Sequence, residues 1–596
     1  MSHSSTRFVT ERVDLPPNHG QQTMDTEHLM EADSNYAWSE VMSPLSPRED
    51  LIFAEKHNNF AVIYQQFKLE VETISSGQVP KLQERAFIAQ IQRTIEEMYA
   101  AAEDEKMYLM NEVLCGWAIK QQKVSIGTLW TQEAVYQELE GIDQQFEYFG
   151  ELLEQILTGL TYLIEQFSDH RAFEDAHDKF RTLAHYFLYY SVVVARQPPS
   201  VVVKCGEAEN HRRSRFWFNT EIRMLGGRAF GLQKDSAAKE AQCFLVTDET
   251  ARQLLQNAYY AILENEDFSL EPQTVKFQSR ENGGFKAKFD DMRVSKKGQL
   301  RRDSVATRRY CICYSIKLSA AHGLELTGKK VSLPFAVLVG PKFDVEARLF
   351  LERSFADLVR QPLSDIPPAA SYHEMADALE MKFQAIVETP QKSNDRPALI
   401  RPRELTTQAK HHIMARLKPT RTAEVSLDNF MKLPVAEEYA NKRTTGEGEW
   451  KLIPFYEWFF KLAEIINKHL YSMWFEGLIY GFCGKDEAEM LLKSCPSSAL
   501  LIRFSDIEYA KIKISVKHRD GSIKHHWYEY QDLTARDIKK ELLANPKFQG
   551  VDVIYPDIPL EVALGGSKKK KDKLKPRNLQ PNTAYFENQG AATSQF

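Results

Sequence analysis

Ala499-Leu500-Leu501-Ile502-Arg503-Phe504-Ser505-Asp506 is the stretch on which the reading of this chain turns. Its apolar run predicts a strand buried on both faces. A guanidinium inside such a strand is costly unless a partner compensates it. A phosphate ester is one such partner, bringing about two negative charges and acceptor oxygens that suit a planar, two-pronged donor. Ser505, in the turn after the strand, adds a hydroxyl. A nearby carboxylate is the competing partner, and spacing alone leaves both open.

The flanks narrow the choice. Trp474-Phe475-Glu476-Gly477-Leu478-Ile479-Tyr480-Gly481-Phe482 precedes a helix-like Lys485-Asp486-Glu487-Ala488-Glu489-Met490-Leu491-Leu492. After the apolar strand, Lys511-Ile512-Lys513-Ile514-Ser515-Val516 alternates at period two. Asp520-Gly521 signals a hairpin, and His525-His526-Trp527-Tyr528 reads as the returning strand. This helix-strand-strand-strand order resembles an SH2 domain. The wording of the segment, with Lys485 three residues past Phe482, is similar to the SH2 domain of the STAT family (signal transducers and activators of transcription). It departs at Ser497-Ser498-Ala499, where the family usually carries Gly-Thr-Phe or similar. The resemblance implies a phosphotyrosine pocket with Arg503 at its base, helped by Ser505, Lys485 and, as a weaker candidate, His526.

The chain has 596 residues, enough for three to five domains, with 43% apolar content and a net charge of -6. No run of 18 apolar residues predicts a membrane span, and the N-terminus lacks the apolar core of a secretory signal. Seven cysteines without a CxxC pair suit a reducing compartment. Cys311 and Cys313 alternate on one expected strand and read as core, so neither metal nor cofactor is expected. Charge is uneven: residues 201–350 hold 25 Lys and Arg against 18 Asp and Glu, an excess of seven. A basic middle in an acidic chain suggests a polyanionic partner.

Composition divides the chain further. Residues 1–48 read as a disordered arm. Residues 49–197 read as a four-helix coiled-coil bundle, its stripe running Tyr136, Leu139, Ile142, Phe146, Phe149, Leu153, Ile156, Leu160 and Leu163, and its last helix ending near 196. After Pro198-Pro199 the period changes to two, and 198–354 reads as an immunoglobulin-like β-sandwich. Helical spacing returns over 355–467, from Met375, Ala378, Leu379, Phe383 and Ile386 to the helix opened by Ile453-Pro454-Phe455. The SH2-like segment fills 468–563, and 564–596 is a polar tail. The expected fold is thus a multidomain α+β chain. This order again resembles STAT proteins: coiled coil, DNA-binding sandwich, helical linker, SH2 domain, tail. Nothing before residue 49 is long enough for the family's N-terminal domain. Only 11 residues follow Tyr585, too few for the acidic activation segment, so a short member is expected whose output is repression or recruited activation.

The resemblance implies further sites. Tyr585, in the polar tail, matches the tyrosine whose phosphorylation activates the family. Binding of each phosphorylated tail by the other copy's SH2 domain then gives a two-fold homodimer. For DNA, Lys204 matches the lysine of the strand that opens the family's sandwich. The Ser332-Leu333-Pro334 strand leads to Gly340, where the family has a base-reading Asn, followed by Lys342. Arg308 and Arg309 stand where the family has an acidic pair, which strengthens attraction to phosphates, while the loss of the amide weakens inheritance of the family's target sequence. Lys568, Lys569, Lys570 and Lys571 form a nuclear-import candidate.

An enzyme is not expected. His518-Arg519-Asp520 copies a kinase triplet, but position 525 is His rather than Asn, and no glycine-rich loop precedes it. The implied partners are double-stranded DNA, a second copy, a tyrosine kinase, and a phosphotyrosine-bearing receptor or adaptor. The implied location is cytoplasm and nucleus, with shuttling on phosphorylation. The competing reading is an SH2 adaptor that does not touch DNA.

Overall fold

The computed structural model describes residues 47–564 except 81, 168–169, 204–217, 233–239, 258–259, 264–266, 281–283, 298–307, 339–341, 362–363, 389–399 and 442–447. Arm and tail therefore lie outside the described residues, and so do Lys204, Gly340, Lys568 to Lys571 and Tyr585.

Helices α1 (Pro47–Ser75), α2 (Glu84–Tyr108), α3 (Cys115–Val124), α4 (Leu129–Gln166) and α5 (Arg171–Ser191) form the bundle, with α2 and α3 joined by the π-helical turn Leu109–Leu114. Thr128 caps α4 by accepting the Thr131 N–H. The α4 stripe from Leu139 to Leu163 is fully buried, and Phe60, Phe146, Phe149 and Phe187 interlock through rings 5.0–5.7 Å apart. Two expectations need correcting. Tyr136 is not on the bundle stripe; Val135 is buried in its stead, and the Tyr136 hydroxyl donates outward to Glu221 at 2.6 Å. The last helix stops at Ser191, and Val192–Arg196 forms strand β1. The β-branched run Val192-Val193-Val194 has its χ1 freedom restricted in a helix and pairs well in a sheet.

The sandwich holds β2 (Val201–Val203), β3 (Phe218–Met224), β4 (Glu240–Thr247), α6 (Asp248–Gln256), β5 (Phe268–Glu271), β6 (Thr274–Lys276), β7 (Gln278–Ser279), β8 (Phe285–Lys296), β9 (Tyr310–Ser319), β10 (Glu325–Val331) and β11 (Ala336–Leu338). One sheet runs β1-β3-β8-β5 with β7 on β8; the other runs β10-β9-β4-β6. Phe268 meets Tyr310, and Phe289 meets Tyr314, each at 5.5 Å across the two sheets. Cys311 and Cys313 are buried with Val246, Ala251 and Leu254. Strand β2 pairs β11 in parallel, with Val203 opposite Leu338.

Next come α7 (Phe343–Phe355), β12 (Ala369–Ser371), α8 (Tyr372–Val387), α9 (Thr407–Arg416), β13 (Glu424–Ser426), α10 (Leu427–Lys432), the hairpin β14 (Pro434–Asn441) and β15 (Gly448–Pro454), α11 (Phe455–Ile465) and α12 (Tyr471–Phe475). A chain of aromatic contacts through Phe350, Phe430, Phe460, Phe459, Phe383, Phe482 and Phe504 ties these helices to the last sheet.

That sheet contains α13 (Lys485–Ser494), β16 (Ala499–Phe504), β17 (Lys511–Lys517), β18 (Ile523–Glu529), α14 (Tyr530–Ala535), α15 (Ile538–Ala544), β19 (Val553–Ile554), β20 (Ile558–Pro559) and α16 (Leu560–Leu564), in the strand order β18-β17-β16-β19-β20. Helix α13 packs Ala488, Leu491 and Leu492 on Ala499 and Leu501. Phe504 packs on the opposite face, toward the helical spacer.

Candidate functional site

All six residues of β16 are buried. Strand register decides which side chains can join Arg503, because directly paired residues share a face and alternate residues return to it. Arg503 pairs with Lys513, and Lys513 with Trp527; one step along, Leu501 pairs with Ser515, and Ser515 with His525. These residues lie on the α13 face. His526 pairs with Ile514 and lies on the other face, its ring 5.4 Å from that of Phe548. Burial lowers the pKa of His526. The expected pocket histidine is therefore misplaced by one residue, and His525 is the one on the Arg503 face. Its Nδ1 lies 2.9 Å from Ser515 Oγ and its Nε2 3.1 Å from Glu489. Centring the hairpin on Asp520 would have revealed this from sequence, since it sets His525 opposite Ser515.

Arg503 is 5% exposed. Its Nη1 donates to the carbonyls of Cys483 at 3.3 Å and Phe504 at 3.2 Å. Its Nε is buried and has no hydrogen-bond partner among the described residues. The nearest carboxylate is Asp506, whose Oδ2 lies 3.6 Å from Nη1. Of the two partners open at the sequence level, the carboxylate is thus present, three residues along the quoted string.

The remaining pocket candidates differ in availability. Ser505 is buried, and its Oγ accepts the Glu508 N–H at 3.2 Å and lies 3.4 Å from a Glu508 carboxylate oxygen, so it serves its own turn. Lys485 opens α13, its side chain 61% exposed and 3.8 Å from Glu489. A Cβ on the preceding Gly484 would stand 3.9 Å from Asp506 Oδ2, so the start of α13 abuts the acidic side of the Arg503 site. Arg503, Ser505 and the base of Lys485 are gathered; His526 is not.

Among the described residues, several cations of the basic middle and the adjoining Arg196 are paired with carboxylates. Across the seam between bundle and sandwich, Arg196 meets Glu133 at 2.7 Å, Arg223 meets Glu140 at 3.2 Å, and Arg280 meets Asp143 at 3.1 Å as well as Glu140. Glu147 accepts the backbone N–H groups of Arg228 and Ala229 at 2.8 Å each. Arg308 pairs with Asp267 at 2.7 Å. Arg309 grips Glu352 with Nε at 2.9 Å and Nη2 at 2.8 Å. The polyanion expected from the charge excess is thus met in part by the chain's own carboxylates. Lys342 is exposed at the N-cap of α7. Strands β2 and β11 pair in parallel, so their last residues, Val203 and Leu338, lie at the same end of the pair. No helix among the described residues is long and apolar enough to cross a membrane.

Residues 51–189 match the family model described as "Signal transducer and activator of transcription b N-terminal". The chain is 60% identical over 556 residues to "Signal transducer and activator of transcription b" of Caenorhabditis elegans, covering 93% of this chain and 98% of that protein. It is 22% identical over 498 residues to "Signal transducer and activator of transcription 1" of Caenorhabditis briggsae, covering 76% of this chain and 65% of that one.

Proposed function

The chain belongs to the signal transducer and activator of transcription family, and from that premise we propose that it is a latent transcription factor switched by tyrosine phosphorylation. A tyrosine kinase phosphorylates Tyr585. The phosphate docks on Arg503 of a second copy, and the reciprocal contact closes a two-fold dimer that moves from cytoplasm to nucleus and binds DNA. In this reading residues 468–563 are the SH2 domain, 355–467 the linker, 198–354 the DNA-binding domain and 49–197 the coiled coil.

The observation that carries this reading is Arg503: a buried guanidinium with an unpartnered Nε and one carboxylate beyond hydrogen-bond reach. Such a group gains strongly from a dianion. Lys485 supplies a second positive charge at the rim, and Ser505 fixes the turn that carries Asp506. The 21 residues from Leu564 to Tyr585 span roughly 70 Å when extended, so a tail can reach a neighbouring copy. Once one tail is docked the second contact is intramolecular, and avidity multiplies. DNA contact falls to the strand exits near Lys204, Gly340 and Lys342.

Light scattering on wild type and Tyr585→Phe after treatment with a tyrosine kinase tests the switch. Wild type alone doubles in mass; equal masses for the two proteins would end the reading. The competing adaptor reading is separated by mobility shift: the phosphorylated protein retards duplex DNA with a salt-dependent affinity, whereas an adaptor leaves it free.

A further inference from the structure

The carboxylate nearest Arg503 has a second partner from a distant part of the chain. Asp506 Oδ2 lies 3.6 Å from Arg503 Nη1, and its Oδ1 lies 2.8 Å from His412 Nε2 on α9. At 3.6 Å the arginine contact is Coulombic without the directional part of a hydrogen bond, whereas the histidine contact lies within hydrogen-bond distance. Helix α9 also sends Arg416 Nη2 to the Asp506 carbonyl at 2.5 Å and to that of Val435. One spacer helix therefore holds both the main chain and the side chain of Asp506. Glu487 of α13 is a second acid whose charge acts on both His412 and Asp506, its own pKa raised by burial.

We propose that Asp506 is the resident counter-ion of Arg503, standing in for phosphate in the unliganded protein, and that His412 is the positioning residue that keeps its carboxylate when a phosphotyrosine arrives. The inference rests on the reading of Arg503 as the phosphate anchor. A phosphate outcompetes Asp506 because it brings about two charges against one and can also reach Nε. Asp506 need not become a stranded charge, since His412 already holds its other oxygen. The spacer helix thereby contributes to phosphopeptide affinity without touching the peptide.

The test titrates the full-length protein with a fluorescent peptide covering residues 580–590 and phosphorylated at Tyr585. Asp506→Asn removes the competing charge and binds about tenfold more tightly, as expected for one like charge a few ångströms away in a partly wet site. Asp506→Glu retains the competition and stays near wild type. His412→Ala leaves Asp506 to Arg503 and weakens binding, and His412→Gln, which keeps a donor, restores it. In the Asp506→Asn background His412→Ala has no further effect, because the histidine acts only through the carboxylate.

Equal or weaker binding by Asp506→Asn overturns the proposal, as does an undiminished His412→Ala loss in that background. If Asp506→Asn does not fold, the His412 pair and Asp506→Glu still decide, since failure of glutamine to rescue overturns it. Arg503→Ala separates the two levels. Retained binding there overturns the anchor itself, whereas lost binding with an unresponsive Asp506→Asn overturns the counter-ion alone.

Discussion

At the seam between bundle and sandwich, Arg223 and Arg280 lie within 4.0 Å of Glu140, Asp143 and Glu221. In the C-terminal sheet Arg503 has two carbonyls and Asp506, which it shares with His412. All three guanidiniums are largely buried. The seam arginines lie among several carboxylates, so their charge is spent on joining two parts of the chain, although Arg223 Nε and Nη2 make no hydrogen bond among the described residues. Arg503 has its charge only partly met, and by a group with somewhere else to go. The lesson is that burial alone does not distinguish a structural arginine from an anion-binding one. The number and commitment of the carboxylates around it do.

The largest expected effect breaks the seam. Arg280→Ala leaves Asp143 buried with weakened compensation, and removing one partner of such a pair costs about 3–5 kcal/mol. Burial already raises the Asp143 carboxyl, against the Gly226 N–H and the Arg223 and Arg280 guanidiniums, which lower it. The variant raises it further. A carboxyl raised in the folded state costs stability above its folded pKa, and that cost fades as pH falls toward the unfolded value near 4. The deficit of Arg280→Ala in thermal midpoint should therefore be large at pH 7.5 and shrink on acidification, while phosphopeptide affinity stays unchanged. A deficit that does not vary with pH would mean that Asp143 is not the group left stranded.

Arg503→Ala should do the reverse. Its stability loss is modest, because the groups it leaves are carbonyls and an aspartate that His412 still holds. Its affinity for the phosphorylated Tyr585 peptide should fall by roughly 30- to 5,000-fold, the range for truncating one side of a buried charge pair. If Arg503→Ala instead destabilised the protein as much as Arg280→Ala and bound peptide normally, the two regions would be of one kind.

Much of this contrast was legible in the sequence, and its gaps have physical causes. The α4 stripe from Leu139 to Leu163 shows because helical period and burial coincide. The strand around Arg503 shows because five apolar residues enclose a charge, and Asp520-Gly521 shows because a tight turn needs Gly521 at φ +82°. Val192 to Ala195 misled because a continuous apolar run carries no period. The hairpin of β14 and β15 was missed because it exposes Tyr439, Trp450 and Leu452 instead of burying one face. The partners of Arg308, Arg309 and Arg280 lie 41, 43 and 137 residues away, and His412 lies 94 from Asp506. No local pattern reports such contacts, so Arg280, Arg308 and Arg309 of the basic middle looked free although they are paired.

The same comparison extends to the end of the sandwich proposed to contact DNA, where the smallest effects are expected. Arg309 is committed to Glu352 through two prongs and is 14% exposed at its side chain, which makes it a seam-type arginine. Lys342 is exposed at the α7 N-cap, four residues past Leu338, the end of β11. If phosphate contacts come from cations without committed carboxylates, Lys342→Ala should flatten the salt dependence of DNA affinity by about one unit of log K per log of salt. Arg309→Ala should leave that slope where it was, because a guanidinium held by Glu352 releases no DNA counter-ion. Fluorescence anisotropy of the kinase-treated protein on a random-sequence duplex, read from about 50 to 200 mM salt, measures both slopes. A flattened slope in Arg309→Ala with an unchanged one in Lys342→Ala would show that Glu352 yields its arginine to DNA, moving Arg309 from the seam class to that of Arg503.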